Sequence, residues 1–277
     1  MISAIVGVFL LVLLLFPQKN IVYKTDLTVG TWWWHRDVDE SKYLEFAARN
    51  SVNEIYYYQT AFDEKAREFV KKANDKGIKV YVLWGDKNWV VDSSPLETLI
   101  ERYREYQVLN QDAQFEGIHL DIEPHQFSDF NENSTKREEY LTMFVHLVYN
   151  IVNQNSDIKF DFDIPAWFDD EITLYGVSKA LYKHVIDIAN RVFVMSYRDS
   201  AEKIIAFAED ELNYAKEQNK KIFLCVEMNS EEGDNVSFKE ESKIVLYEQL
   251  KMLEKIVNQD FGVSIHYIET WYSLKDK

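Results

Sequence analysis

One short stretch of the chain carries three titratable side chains at alternate positions of an otherwise apolar run. It reads FEGIHLDIEPHQ over residues 115–126, and the three are His119, Asp121 and Glu123. Successive side chains of a β-strand point to opposite faces, so these three share one face and the aliphatic residues between them share the other. Burying two carboxylates on one face is costly unless they share a proton, pair with a cation or take part in chemistry. The stretch therefore predicts a buried strand whose polar face is a candidate catalytic site.

The elements that must position this face alternate along the whole chain from residue 27 onward. Eight apolar or aromatic runs predict strands, at 27–34, 52–59, 78–85, 117–124, 158–165, 191–198, 221–228 and 263–271. Seven segments of helical period predict helices, at about 40–49, 63–76, 95–109, 136–154, 177–189, 200–218 and 239–257. Strict alternation of this kind predicts a single (β/α)8 TIM barrel of the α/β class over residues 21–277. The alternative, an open doubly wound sheet, would carry a glycine-rich loop after its first strand, where this chain has GTWWWHRD.

In a TIM barrel the active site lies at the carboxyl ends of the strands. Here those ends carry carboxylates and aromatic rings, with scarcely any lysine or arginine. Flat rings stack on the C–H faces of sugars, and carboxylates accept hydrogen bonds from their hydroxyl groups, so this rim is typical of a sugar-binding site. The candidate substrate-binding residues are His119, Trp32, Trp34, Trp84, Asp163, Trp167, Glu227 and Trp271.

The fourth-strand stretch EGIHLDIEP resembles the D-G-x-D-x-D-x-E signature of glycoside hydrolase family 18, the chitinase-like TIM barrels. Asp121 and Glu123 match the last two acidic positions of that signature, VMSYRD at 194–199 is similar to the family's sixth-strand M-x-Y-D, and Trp271 matches the tryptophan that forms the floor of its sugar subsite. The resemblance implies cleavage of β-linked glycans that contain N-acetylglucosamine, by substrate-assisted retention without an enzyme nucleophile. It further implies that Glu123 protonates the glycosidic oxygen, that Asp121 orients the substrate's acetamido group, and that Tyr197 donates a hydrogen bond to the acetamido oxygen.

Three positions depart from the family pattern. Glu116 stands at the first aspartate, His119 replaces the second, and Arg198 is inserted before Asp199. The second aspartate of the family shares a proton with the acid that matches Asp121, whereas a histidine there would be a cation or a hydrogen-bond donor that holds Asp121 ionised. These departures leave a second interpretation open, a chitinase-like glycan-binding protein without catalysis.

A third interpretation is a metal-dependent hydrolase. His119, Asp121 and Glu123, with His125 or His266, offer nitrogen and oxygen ligands. However, the first strand ends in WWWHRD without an H-x-H pair, and the chain has no tight ligand spacing. We therefore expect neither a metal nor another cofactor.

Charge and the amino-terminal segment indicate partners and location. The formal net charge of -16 argues against nucleic acid and favours neutral or cationic ligands, so we expect a glycan as the partner.

Residues 2–16 form an apolar run that is shorter than the roughly 20 residues of a transmembrane helix. We expect residues 1–20 to be an export signal or, alternatively, an uncleaved membrane anchor, and the protein to be secreted or tethered outside the cytoplasm. The sequence makes no prediction of the oligomeric state.

Overall fold

The chain folds into a closed barrel of eight parallel strands with helices around it. The computed structural model describes residues 21–35, 38–229 and 235–276. Its strands are β1 (Thr28–Trp33), β2 (Val52–Tyr58), β3 (Lys79–Trp84), β4 (Ile118–Leu120), β5 (Phe160–Pro165), β6 (Glu171–Leu174), β7 (Val177–Ala180), β8 (Arg191–Met195), β9 (Ile222–Glu227) and β10 (Phe261–His266). The barrel strands follow chain order around the ring, β1-β2-β3-β4-β5-β8-β9-β10, and β10 pairs with β1. This closure confirms the predicted (β/α)8 TIM barrel.

Helices follow the barrel strands and pack on the outside of the ring. In chain order they are α1 (Glu40–Arg49), α2 (Glu64–Asn74), α3 (Ser94–Leu109), α4 (Ser134–Gln154), α5 (Leu181–Ile188), α6 (Ala201–Phe207), α7 (Glu209–Glu217), α8 (Lys243–Ile256) and α9 (Ile268–Ser273). Side-chain caps begin several of them: Asp63 accepts a hydrogen bond from the amide of Ala66 at 3.0 Å, and Asn133 accepts one from the amide of Lys136 at 2.9 Å. Such caps satisfy first-turn N–H groups that have no partner within the helix.

Two predicted helices differ in the structure, one by a later start and one by a break. The helix predicted over 177–189 begins only at Leu181, because β7 pairs with β6 in an antiparallel hairpin. The hairpin turns through Tyr175 and Gly176, whose φ angles of 49° and 82° are those of a two-residue hairpin turn. The helix predicted over 200–218 is broken into α6 and α7. Apolar spacing alone did not distinguish these short pieces from one continuous helix.

The last predicted strand is shorter than the apolar pattern of 263–271 indicates. Strand β10 ends at His266, where backbone pairing with β9 stops, and helix α9 follows. The hydroxyl of Thr270 accepts a hydrogen bond from the amide of Tyr267 at 3.2 Å and so begins the helix. His266, rather than a residue further along, is therefore at the carboxyl end of this strand.

Side chains fill the interior of the barrel in layers. At the amino-terminal end, Arg191 lies between Glu54 and Asp161, 2.8 Å and 2.6 Å from their carboxylate oxygens. The next layers consist of buried rings and His119, and these rings are Trp32, Tyr56, Tyr81, Phe193 and Phe223. Above them, at the carboxyl ends of the strands, the barrel opens into a cleft.

The amino-terminal prediction, residues 1–20 with the apolar run 2–16, lies outside the described residues. Within the described ranges, none of the helices combines the length and apolar character that a membrane crossing requires.

Candidate active site

A cleft of about 480 Å³ occupies the carboxyl end of the barrel. Seven of the predicted site residues line it: Trp32, Asp121, Glu123, Asp163, Trp167, Tyr197 and Glu227. They come from five different strands or the loops that follow them, and only the closed ring brings them together. The four remaining predicted residues lie below or outside the cleft.

Asp121 and Asp163 form the floor of the cleft at the ends of β4 and β5. The amide of Asp121 donates to the carbonyl oxygen of Trp84 at 2.8 Å, which extends the pairing of β4 with β3 by one residue. Burial raises the pKa of Asp121 well above its ordinary value, and the negative charge of Asp163 raises it further. Burial likewise raises the pKa of Asp163, partly offset by the N–H of Trp32, which lies 3.3 Å from its Oδ2. Burial thus raises the pKa of both carboxyl groups on this floor, and the charge of Asp163 adds to the effect on Asp121.

His119 lies beneath this floor, fully buried inside the barrel. Its Nε2 is 2.8 Å from Oδ2 of Asp163, and its ring stacks on Tyr56 with centroids 4.2 Å apart. Burial lowers the pKa of His119 to about 3, so the ring is neutral. The lowered pKa argues against the cation that was expected at this position and leaves the hydrogen-bond donor, and His119 is not among the residues that line the cleft. The carboxyl group beside Asp121 comes instead from Asp163, on the neighbouring strand.

Glu123 stands on the wall of the cleft, where β4 has ended and a short 3-10 helix, Pro124–Gln126, begins. The side-chain amide of Gln126 donates to Oε2 of Glu123, and Nε2 of His125 lies 3.4 Å from Oε1. Burial and the positive charge of Arg137 lower the pKa of His125, which favours its neutral form. Glu123 is partly buried, and its carboxyl group still reaches the cleft.

Glu227 is buried at the end of β9 and is surrounded by donors. Its Oε1 accepts from the amides of Met228 and Asn229, both at 2.6 Å, and its Oε2 lies 2.6 Å from Nδ1 of His266. The indole N–H of Trp34 can only donate, and it lies 3.0 Å from Nε2 of His266. In this geometry Nε2 of His266 faces the indole N–H of Trp34 and Nδ1 faces Glu227. Trp34 thus contributes to the site through His266 rather than by lining the cleft.

Tyr197 supplies a phenol to the same space. Its ring lies parallel to that of His266, with centroids 6.3 Å apart. Burial raises the pKa of Tyr197 well above its usual value, and the nearby charge of Glu227 adds to this effect. The phenol therefore keeps its proton and can donate a hydrogen bond to a bound ligand.

Two predicted tryptophans lie away from the cleft, and these predictions are corrected by the structure. Trp84 points outward from β3 into the layer between barrel and helices, where its N–H donates to the carbonyl oxygen of Gln59 at 2.6 Å. Trp271 is buried on α9 among helices, with its N–H 3.2 Å from the hydroxyl of Tyr247. Strand alternation explains the first case, since Trp84 continues the outward face of β3. The early end of β10 explains the second, since Trp271 is no longer on a strand.

Sequence reasoning did not predict several cleft-lining residues as catalytic or substrate-binding, and it considered His125 and His266 only as possible metal ligands. The omitted residues are His125, Gln126, Pro165, Met195, Arg198, Phe207, Val236 and His266. His266 and Met195 lie at the ends of their strands, and this position could have identified them. The predicted strands extended beyond both residues and so concealed it. Phe207 and Val236 come from segments far from any strand end, so the sequence carries no local signal for them.

The ligand set considered from the sequence is not brought together among the described residues. No group of three or more His, Cys, Asp or Glu side chains within 21–35, 38–229 and 235–276 is arranged to hold a metal ion. His119 is separated from the cleft by its burial beneath Asp163, which removes the histidine at the centre of the ligand set considered from sequence.

Sequence comparison finds no match, whereas structural comparison finds proteins of similar fold. No protein-family model matches the chain, and no curated protein matches it in sequence. Among solved structures, a glycoside hydrolase family 18 chitinase from Pseudoalteromonas aurantia is similar with a TM-score of 0.58 at 12% identity, over 87% of this chain and 94% of that one.

Two further solved structures show the same likeness. A family 18 chitinase from Cycas revoluta, in complex with (GlcNAc)3, is similar with a TM-score of 0.54 at 11% identity, over 88% of this chain and 95% of that one. The glycoside hydrolase domain of PelA from Pseudomonas aeruginosa is similar with a TM-score of 0.50 at 11% identity, over 89% and 97% of the two chains. The chain therefore has the (β/α)8 barrel fold that these glycoside hydrolases share.

Proposed function

We propose that the protein is a glycoside hydrolase that cleaves β-linked glycans containing N-acetylglucosamine, by substrate-assisted retention with Glu123 as the general acid. The observation that carries the proposal is the convergence of Asp121, Glu123 and Tyr197 on one cleft at the carboxyl end of the barrel. The solved complex of the Cycas revoluta chitinase with (GlcNAc)3 is consistent with a ligand of this class in such a barrel.

Each of the three residues has the chemistry that its step requires. Glu123 transfers a proton to the glycosidic oxygen as the bond from that oxygen to the anomeric carbon breaks. The acetamido oxygen of the substrate attacks the same carbon, while Asp121 accepts a hydrogen bond from the acetamido N–H and stabilises the positive charge that develops. Tyr197, whose phenol stays protonated, donates to the acetamido oxygen. Water then attacks the cyclic intermediate with Glu123 as the base, and the anomeric configuration is retained.

The replacement of the family aspartate by His119 is compensated in this arrangement by a different strand. Asp163 places a carboxyl group close enough to Asp121 for its charge to raise the pKa of Asp121. A proton shared between Asp121 and Asp163 leaves the pair with a single negative charge before substrate binds, and Asp121 becomes a better acceptor when that proton moves to Asp163. Asp163 is thus proposed to perform the role of the missing second aspartate.

One contact favours the second candidate, a glycan-binding protein without turnover. The Gln126 amide donates to Glu123, and a donor of this kind stabilises a carboxylate rather than the carboxylic acid that catalysis needs. A half-turn of the amide would present its oxygen to a protonated Glu123 instead. Activity therefore decides between the two candidates.

The test is the release of reducing ends from β-1,4-linked N-acetylglucosamine tetramers and hexamers. We expect the purified wild-type protein to release them with retained β-configuration at early times, and Glu123→Gln to lose about 10²- to 10⁴-fold in kcat. Glu105→Gln is the matched control, since Glu105 is exposed on α3. Calorimetry with the same oligomers completes the test. Binding without hydrolysis would establish the non-catalytic candidate, and neither binding nor hydrolysis would remove both.

A further inference from the structure

Arg198 brings an unexpected positive charge into the cleft. It follows Tyr197 directly after β8 and, of the described residues that line the cleft, it is the only arginine or lysine. The acid next in sequence does not neutralise it, because Asp199 lies 2.9 Å from Nζ of Lys203. The wall of the cleft therefore carries the positive charge of the Arg198 guanidinium at this point.

Two contacts hold the guanidinium in place. Its Nη1 donates to the carbonyl oxygen of Tyr197 at 2.7 Å, and its central carbon lies 3.7 Å from the ring centroid of Phe207. The ring attracts the cation at this distance, and the remaining N–H donors of the planar guanidinium are not used by these two contacts. A planar guanidinium held by these contacts is suited to two parallel hydrogen bonds to a carboxylate.

No carboxylate among the described residues forms an ion pair with Arg198. Four other arginines of the described chain do form such pairs, and they are Arg67, Arg104, Arg137 and Arg191. Three of the four carboxyl groups that line the cleft have other partners: Asp163 is bonded to Trp32, Glu227 to His266 and Glu123 to Gln126. The remaining N–H donors of Arg198 are thus available to a ligand in the cleft.

We propose that Arg198 selects glycans that carry a carboxylate on a sugar at or next to the cleaved linkage. This inference rests on the proposed function and narrows its substrate class to acidic glycans, in which the carboxylate belongs to a uronic acid or to a lactyl ether. The net charge of -16 opposes an anionic ligand only at long range, because such fields are screened beyond about 8 Å at physiological ionic strength, whereas the contact with Arg198 is direct.

The experiment compares matched neutral and acidic tetrasaccharides with the full chain. The probes are a β-1,4-linked N-acetylglucosamine tetramer, a tetramer that alternates N-acetylglucosamine with N-acetylmuramic acid, a tetramer that alternates it with glucuronic acid, and the methyl esters of the two acids. We expect kcat/KM for at least one free acid to exceed that for its ester by about 10- to 100-fold, the range of a charge-assisted hydrogen bond. The two acids distinguish a lactyl ether from a uronic acid as the source of the carboxylate.

Three variants assign this preference to the guanidinium. Arg198→Gln should bring the acid-to-ester ratio close to one, and Arg198→Lys should keep part of it, since an ammonium retains the charge but not the planar fork. Arg102→Gln is the control and should leave the ratio unchanged, because Arg102 also donates to a carbonyl oxygen, that of Ala61, and lies over a phenyl ring, that of Phe62, but outside the cleft.

Two results would overturn the inference: equal rates on acids and esters by the wild type, or a ratio that survives in Arg198→Gln. If the wild type cleaves none of the probes, the proposed hydrolase function is refuted, but the carboxylate preference of Arg198 is not. Calorimetry on the same probes then tests that preference. Tighter binding of an acid than of its ester, lost in Arg198→Gln, would support it without catalysis, and equal or absent binding would refute it.

Discussion

At the scale of single residues, burial determines what each titratable group in this protein can do. Burial lowers the pKa of His119 to about 3, and burial together with the charge of Asp163 raises the pKa of Asp121. The same physics acts on Glu211, on α7 and far along the chain from the cleft-forming strand ends. Glu211 is 1% exposed, and its Oε1 has no hydrogen-bond partner among the described residues. Burial raises its pKa to about 8.

This shift predicts a specific dependence of stability on pH. An acid whose pKa is higher in the folded state than in the unfolded chain contributes stability at low pH, and this contribution is lost as the pH rises towards the folded-state value. Between about pH 4.5 and pH 8, ionisation of Glu211 should therefore lower the free energy of unfolding by up to about 1.4 kcal/mol per pH unit. Glu211→Gln removes the ionisation, so the variant should gain stability relative to wild type as the pH rises from 5 to 8.

Urea unfolding at a series of pH values measures this difference. Glu209→Gln, exposed on the same helix, is the control and should differ from wild type by a constant amount. Parallel curves for wild type and Glu211→Gln would show that Glu211 is not a buried ionisable group.

At the scale of elements, the site depends on how closely neighbouring strands approach at their carboxyl ends. Strand β4 has only three residues, Ile118–Leu120, and Asp121 keeps its place through one further hydrogen bond to β3. Gly85, the residue after β3, lies against the backbone of Asp121, and a Cβ there would overlap the carbonyl oxygen of Asp121. Because that neighbour is backbone, it cannot rotate away as a side chain would.

We therefore expect Gly85→Ala to displace Asp121 and to lower activity more than stability. The overlap should cost about 1–3 kcal/mol in the free energy of unfolding, as overpacking does, and the shift of Asp121 should reduce kcat/KM on N-acetylglucosamine oligomers by at least about tenfold. Denaturant unfolding and initial rates on the folded protein measure the two effects.

Gly77→Ala is the control that separates loss of stability from loss of activity. Gly77 follows α2 with a φ of 74° and has no atom within 4 Å of the added Cβ, so alanine there is strained but does not touch the cleft. It should lower stability and leave kcat/KM unchanged. Equal loss of activity in both variants would mean that the contact of Gly85 with Asp121 has no bearing on the site.

At the scale of the whole molecule, an ionic cluster crosses the closed end of the barrel. Arg191 of β8 bonds to Asp161 of β5 and, across the interior, to Glu54 of β2, and its guanidinium carbon lies 4.5 Å from the ring centroid of Tyr81. Both carboxylates are buried, with 8% and 1% of their side chains exposed. The arginine thus compensates two charges that only ring closure brings together.

Removal of this arginine should destabilise the barrel strongly. Arg191→Met leaves two buried carboxylates without a cation, and the loss of one partner of a buried ion pair costs about 3–5 kcal/mol. Combining it with Glu54→Gln and Asp161→Asn should recover part of the loss, since no uncompensated charge remains. Arg104→Met is the control, because Arg104 pairs with Asp157 at the surface, where such a pair contributes at most about 1 kcal/mol. A loss in Arg191→Met no larger than in Arg104→Met, measured by denaturant unfolding, would refute the role of the cluster.

Local periodicity in the sequence determined the architecture and the polar face of the fourth strand. Eight apolar runs separated by helical segments define the barrel, and alternation within FEGIHLDIEPHQ puts Asp121 on its inner face, because the direction of a side chain in a strand depends on the positions next to it. The outward direction of Trp84 could have been predicted in the same way, because Trp84 lies two residues after Val82.

Only the tertiary structure decided which groups are neighbours in the cleft. Segments that are distant in the chain meet here: His119 contacts Asp163, and His266 pairs with Glu227. Arg198 likewise lines the cleft beside residues of other strands. Their proximity depends on the register in which the ring closes and on the residue at which each strand ends, and neither quantity is encoded in the spacing of any single segment. The protonation states of these groups follow from that proximity, so the chemistry of the cleft is a property of the closed barrel.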